Sequence, residues 1–141
     1  MQVTIREMFA PDINEDFFAA LAALSDPGLD VPRAKEVIRI RLSQGVHTYI
    51  ALFEGKIIGT ASLFVEQKFL HRGGKVGHIE DVAVHPDYQR RGIGKALVGH
   101  VEGRARAMGC YKTILDCFDD LEIFYGKSGY KKFSIQMRKD L

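Results

Sequence analysis

Apolar and polar positions follow two periods along this chain. Beyond the middle, Ile93, Leu97, Val101, Ala105 and Met108 recur three or four residues apart with charges between them, which predicts a helix from Gly92 to Met108. Ile13, Phe17, Ala20, Leu21 and Leu24 predict another from Asp12 to Leu24, stopped by Ser25-Asp26-Pro27-Gly28. Val31-Pro32 opens a third, Pro32 to Ser43, with Val37, Ile38, Ile40 and Leu42 as its apolar residues and Gln44-Gly45 at its end. Strand patterning marks Val3 to Arg6, Thr48 to Phe53 and Lys56 to Gln67, the last two joined by a hairpin turn at Glu54-Gly55. A basic loop, Phe69 to Gly74, leads to a central strand, Val76 to Val84, closed by Pro86. Tyr111 to Cys117 predicts a strand, Asp119 to Lys127 a short helix, and Tyr130 to Met137 a last strand. The order β-α-α-β-β-β-α-β-α-β is that of an α/β (α+β) protein, and no repeat, linker or low-complexity tract divides residues 1–141 into more than a single domain.

Composition adds little to this. A chain of 141 residues, 46% apolar and 27% charged, buries about two-thirds of its unfolded surface and needs no staple. A net charge of +2 argues against nucleic acid as the main partner. Cys110 and Cys117 flank one predicted strand, too far apart along it to form a disulfide. With no leader segment and no apolar run of about 18 residues, a cytoplasmic protein with reduced thiols and no membrane association is expected. No His, Cys and Asp cluster has metal-ligand spacing, so no metal is expected. His47, His85 and His100 read as isolated surface residues, and His78 as a packing residue.

Chemistry concentrates between His78 and Arg106. A strand ends at Val84, a basic glycine-bearing turn runs Gln89-Arg90-Arg91-Gly92-Ile93-Gly94, and a helix follows. The first N–H groups of a helix lack partners and its dipole is positive there, so this is an anion site. Gly92 and Gly94 let backbone approach a phosphate, and Arg90, Arg91 and Lys95 add charge. Without more, an ordinary βα turn with a solvated basic corner accounts for it as well. The spacing is neither that of a P-loop nor that of the dinucleotide fingerprint.

Gln89-x-x-Gly92-x-Gly94 after Val82-Ala83-Val84 resembles the acetyl-CoA signature of the GNAT superfamily of N-acetyltransferases. Gly77-His78-Ile79-Glu80-Asp81, Gly109-Cys110-Tyr111-Lys112 through Leu115-Asp116-Cys117, Phe124-Tyr125 and Lys127-Ser128-Gly129-Tyr130 resemble its glucosamine-6-phosphate branch. The likeness runs from Lys68 to Met137; the earlier residues match in layout only. It implies the GNAT fold: a mixed, mostly antiparallel sheet of about six strands, helices on both faces, and a splayed central pair ending at Val84 and Cys117. It also implies acetyl-CoA as co-substrate, bound by Val82, Ala83, Val84, Arg90, Arg91, Gly92, Ile93, Gly94, Lys95, Tyr125, Gly126 and Lys127.

The same resemblance implies roles at the reacting centre. Tyr125 protonates the departing thiolate, the N–H of Val82 or Ala83 polarises the acetyl carbonyl, and Asp116 and Glu80 assist the amine. Ser25, Lys68, Phe69, Leu70, His71, Glu80, Asp81, Val82, Tyr111, Lys112, Asp116 and Arg138 surround a phosphorylated amino sugar, partly across a homodimer interface. The residues alone allow plainer readings. Tyr125 is equally a core aromatic, Asp116 a helix cap, and the Lys68 loop a solvated basic loop. Glu80 and Asp81 on a regular strand face opposite sides and form no simple acid/base pair. Three departures bear on the phosphate site: no unambiguous counterpart of the branch's C-terminal arginine exists, although Arg138 and Lys139 are near, the residue before the first signature glycine is Arg91, and the loop before Val76 is unusually basic. Cys117 as an acyl-accepting nucleophile lacks a base beside it. Two alternatives stay open, a GNAT enzyme for another small amine and a CoA-binding regulatory module without turnover. Lys68, His71 and Lys112 argue against a polyamine, and Tyr125 with Glu80-Asp81 argues against the module.

Overall fold

The computed structural model describes residues 1–141. Its sheet has five strands: β1 (Thr4–Glu7), β2 (Val46–Phe53), β3 (Lys56–Gln67), β4 (Lys75–Val84) and β5 (Cys110–Ile114). They lie in the order of the chain; the first three pairings are antiparallel and β4–β5 is parallel. The helices are α1 (Glu15–Leu21), α2 (Val31–Ser43), a four-residue turn α3 (Leu70–Gly73), α4 (Ile93–Ala107) and α5 (Glu122–Gly126).

Local chemistry sets the boundaries. Asn14 accepts from the Phe17 N–H at 3.2 Å and Asp30 from the Arg33 N–H at 2.8 Å, capping α1 and α2. Glu54 and Gly55 both take positive φ, 49° and 78°, as a two-residue hairpin turn requires.

Alternation along the strands divides the core between two faces. Tyr49, Ala51, Ile58 and Leu63 pack with Leu97, Val98, Val101 and Ala105 of α4, while Ile50 and Ile57 pack with Phe17 of α1 and Ala34 and Ile38 of α2. Each fully buried Leu, Ile, Val or Phe among them contributes about 1.5–3 kcal/mol. Helices therefore cover both faces, as expected.

Four expectations need correction. The sheet has five strands, because Tyr130 to Met137 alternates but joins no strand of its own chain in a ladder; Phe133, Ile135 and Met137 are exposed. The first helix starts after a 3-10 turn at Ala10–Asp12 and stops at Leu21, leaving Leu24 in solvent. On α2 the inward stripe is Ala34, Ile38 and Arg41; Ile40 is exposed. Strand β5 ends at Ile114, so Asp116 and Cys117 lie beyond it. The structure also gives two histidines more than a surface role. His47 pairs with Glu7 at 3.2 Å, and His100 packs edge-on against Tyr49 at 5.3 Å.

Candidate active site

The parallel β4–β5 pairing starts at Lys75 opposite Cys110 and ends at His78 opposite Ile114, but β4 continues to Val84. Beyond His78 the sheet is open between these strands, which is the splay expected of the fold. On its other edge β4 carries a bulge. Glu80 pairs with Ser62 and Ala83 with Thr60, so Asp81 and Val82 together oppose one residue of β3. Asp81 takes φ 50°, the left-handed region that Asp tolerates better than most residues. The bulge breaks the regular alternation, so the expectation that Glu80 and Asp81 face opposite sides fails here.

The outer end of the gap is the N-terminus of α4. Gly92 occupies the cap position at φ 80° with open space where a Cβ would stand, and no side chain caps the helix. No acidic residue lies in its first turn, while Arg90, Arg91 and Lys95 surround it. Gln89 donates to the Val84 carbonyl at 3.0 Å, and Arg91 lies 5.7 Å over the Tyr88 ring, fixing the turn. A Cβ on Gly94 would come within 3.3 Å of Phe124, so the cradle packs directly on α5. Uncapped N–H groups beside three cations suit the pyrophosphate of coenzyme A.

Tyr125 is buried on α5, edge-on to Phe124 at 4.8 Å and to Tyr130 at 6.1 Å. Burial, and then the neighbouring Cys117, pushes its hydroxyl pKa above the usual value, so it keeps its proton. The Glu80 carboxyl is also pushed up, first by loss of hydration and then by the Asp81 and Asp116 carboxylates. Asp116 accepts from the Gln136 amide at 2.9 Å. Loss of hydration raises the Cys117 pKa, and the nearby Glu122, Asp116, Asp119 and Asp120 raise it further, which disfavours the thiolate. Both cysteines are free.

The basic residues gather at the other end of β4. Lys68 pairs with Glu66 at 3.4 Å, and Glu66 also bonds His78 at 2.9 Å. His71 stacks on Tyr111 at 3.9 Å, with Lys112 over the same ring at 5.5 Å. His71 and Arg72 hold positive φ in the α3 turn, and Phe69 and Leu70 project into solvent. Ser25 is exposed just after α1, and Arg138 bonds Asp140 at 2.7 Å. Sequence reasoning missed Arg41. Its signal was a charge at the 34, 38, 41 spacing of an inward stripe.

The model of the acetyltransferase (GNAT) family matches residues 9–130. The chain belongs to the GNAT acetyltransferase family. Among GNAT relatives, it is 38% identical to the glucosamine 6-phosphate N-acetyltransferase of Arabidopsis thaliana, over 96% of this chain and 94% of that one. It is also 38% identical to a probable glucosamine 6-phosphate N-acetyltransferase of Oryza sativa subsp. japonica, over 96% and 86%. A crystal structure of a Trypanosoma brucei acetyltransferase superposes with a TM-score of 0.92 at 35% identity, covering 99% of this chain and 100% of that one. The chain is an acetyl-CoA-dependent N-acetyltransferase. No helix is long and apolar enough to cross a membrane.

Proposed function

We propose that this protein, a single domain over residues 1–141, transfers the acetyl group of acetyl-CoA directly to the amine of glucosamine 6-phosphate. The observation that carries the chemistry is the Asp81–Val82 bulge, set beside an open strand gap whose outer end is an uncapped helix N-terminus. The acceptor follows from kinship with the two plant enzymes of that name.

Bound acetyl-CoA would supply the acetyl group activated as a thioester, with the coenzyme A thiolate as its leaving group. The N–H groups of Ile93, Gly94 and Lys95, with Arg90 and Arg91, hold its pyrophosphate. Val82, Ala83 and Val84 run alongside it, and the N–H of Val82 or Ala83 donates to the acetyl oxygen as charge gathers there. Glu80, its proton affinity raised, takes a proton from the acceptor ammonium, with Asp116 beside it. The neutral amine attacks the acetyl carbon, the C–S bond breaks as Tyr125 donates its proton to the departing sulfur, and the second nitrogen proton passes to the Tyr125 oxygen; Gly126 and Lys127 extend that wall. Asp81, Tyr111 and Ser25 contact the sugar, while Lys68, His71 and Lys112 offer positive charge to its phosphate from the loop that includes Phe69 and Leu70. The protein acts in the cytoplasm.

The chain works as a homodimer. Residues beyond Tyr130 belong to no helix or strand, alternate Phe133, Ile135 and Met137 with polar residues, and expose all three apolar side chains. An unpaired alternating segment of this kind pairs with a second copy. In such a dimer Arg138 contributes positive charge to the partner's sugar phosphate. Sedimentation at assay concentration is expected to give a dimer, and a fully active monomer would overturn this part.

For the reaction itself, glucosamine 6-phosphate should be acetylated with a kcat/KM at least about tenfold above that of glucosamine, the worth of one modest charge-assisted contact. Equal values for the two sugars would rule out a phosphate subsite.

A further inference from the structure

A cavity of about 140 Å³ lies between the α1–α2 layer and the sheet, and Asp81 lines it. Its walls are largely apolar, with Met8, Phe17 and Ile38 among them. One cation enters it. Arg41 reaches inward from the last turn of α2, and its Nη2 donates to Ser62 Oγ at 2.6 Å and, weakly, to Thr48 Oγ1 at 3.4 Å. The arginine ion pairs of this chain belong to Arg6, Arg33 and Arg138; Arg41 has none. Burial lowers its pKa, and the one charge that opposes this is Asp81.

A half-buried guanidinium with no carboxylate against it is unfavourable unless something accepts its remaining N–H groups. Guanidinium has five donors, and the two bonds formed here use only Nη2, so Nη1 and Nε remain. Asp81, on the wall of the same cavity, offers carboxylate acceptors. A ligand ammonium would bond Asp81 but be repelled by Arg41. A ligand carboxylate or phosphate would bond Arg41 but be repelled by Asp81. A hydroxyl group accepts from the one and donates to the other.

We propose that Arg41 is a specificity residue of the acceptor site, holding one ring hydroxyl of the amino sugar between its guanidinium and the Asp81 carboxylate. This rests on the amino-sugar reading above. The bulge makes the arrangement possible, because the left-handed Asp81 belongs to the segment that also carries the acetyl-polarising N–H groups. The same hydroxyl contact therefore sets the amine against the thioester.

The test measures kcat/KM of wild-type protein, Arg41→Met and Arg41→Lys for glucosamine 6-phosphate and its 1-, 3- and 4-deoxy analogues. Methionine keeps an unbranched apolar stem without donors. In the wild type, one deoxy analogue should lose about 10- to 100-fold, the worth of a hydrogen bond to a charged group. Arg41→Met should lose a similar factor on the parent sugar through KM, little more on that one analogue, and nothing in KM for acetyl-CoA. Arg41→Lys should recover part of the parent activity. An Arg41 that merely props the fold would slow all four sugars by one common factor, and that result overturns the proposal. So does a wild type that uses every deoxy analogue as well as the parent, a measurement that needs no folded variant. No turnover of glucosamine 6-phosphate by the wild type would instead remove the acceptor reading, and this proposal with it.

Discussion

Tyr125→Phe separates the hydroxyl of Tyr125 from its ring. The ring is 8% exposed and packs edge-on to Phe124 at 4.8 Å and Tyr130 at 6.1 Å. Phenylalanine keeps those contacts, so stability should change by less than about 1 kcal/mol. The lost group is the proton that burial holds on the oxygen. A free thiol has a pKa of about 8.5, so a thiolate leaves tolerably without help. The loss in kcat should therefore sit at the low end for general-acid catalysis, about 10²-fold or roughly 2.7 kcal/mol. A thiol-release assay gives kcat, and calorimetric titration with coenzyme A should show affinity within a few fold of wild type. Cys117→Ala is the companion, expected to stay within a few fold because its thiol is held protonated and direct transfer needs no acyl-enzyme. A fully active Tyr125→Phe with a dead Cys117→Ala, and acetylated protein trapped on mixing with acetyl-CoA alone, would refute direct transfer.

Replacing Arg90 and Arg91 together by glutamine should raise KM for acetyl-CoA about 3- to 10-fold, the range for exposed charges, and leave KM for the sugar unchanged; no change in the first would remove the pyrophosphate assignment. Glycines at the two ends of one argument should respond with opposite signs in urea titrations. Gly92→Ala, at φ 80°, should cost about 1–2 kcal/mol, whereas Gly99→Ala, exposed inside α4 with open space around it, should gain about 0.5–1 kcal/mol. Because the Glu80 pKa is raised, its basic form is lost at a higher pH than for an ordinary glutamate as the solution is acidified. The acid limb of kcat/KM should therefore lie above pH 4.5 and disappear in Glu80→Gln; an unaltered limb in that variant would assign it to another group.

The sequence made α4 and its cradle legible because burial there follows one helical stripe and the glycines stand where the turn needs them. Tyr125 was legible only through resemblance, since a buried aromatic on a short helix looks the same whether or not its hydroxyl works. The last expected strand failed for a physical reason. Alternation at Phe133, Ile135 and Met137 describes a segment suited to a sheet but does not say whose sheet. The bulge at Asp81 was hidden too, because a left-handed Asp costs little enough that no glycine marks it. Arg41 escaped notice because charges on a helix are ordinarily read as solvated.

Strand order that equals chain order has a consequence for synthesis. Each new strand needs only its predecessor as a template, so pairing can begin while the ribosome is still at work. A nascent chain that has emerged as far as Val84 holds β1 to β4 and both helices of the α1–α2 layer, and so one of its two hydrophobic clusters in full. The other face waits for α4, whose last residue, Ala107, lies 23 residues beyond Val84, on the order of 1 to 5 s of further translation at about 5–20 residues per second. During that interval the bulge exists but the phosphate cradle and Tyr125 do not. Products that stop early would therefore be partly folded acceptor grooves with no means of holding a donor, and chaperones would meet them with the α4 face of the sheet bare.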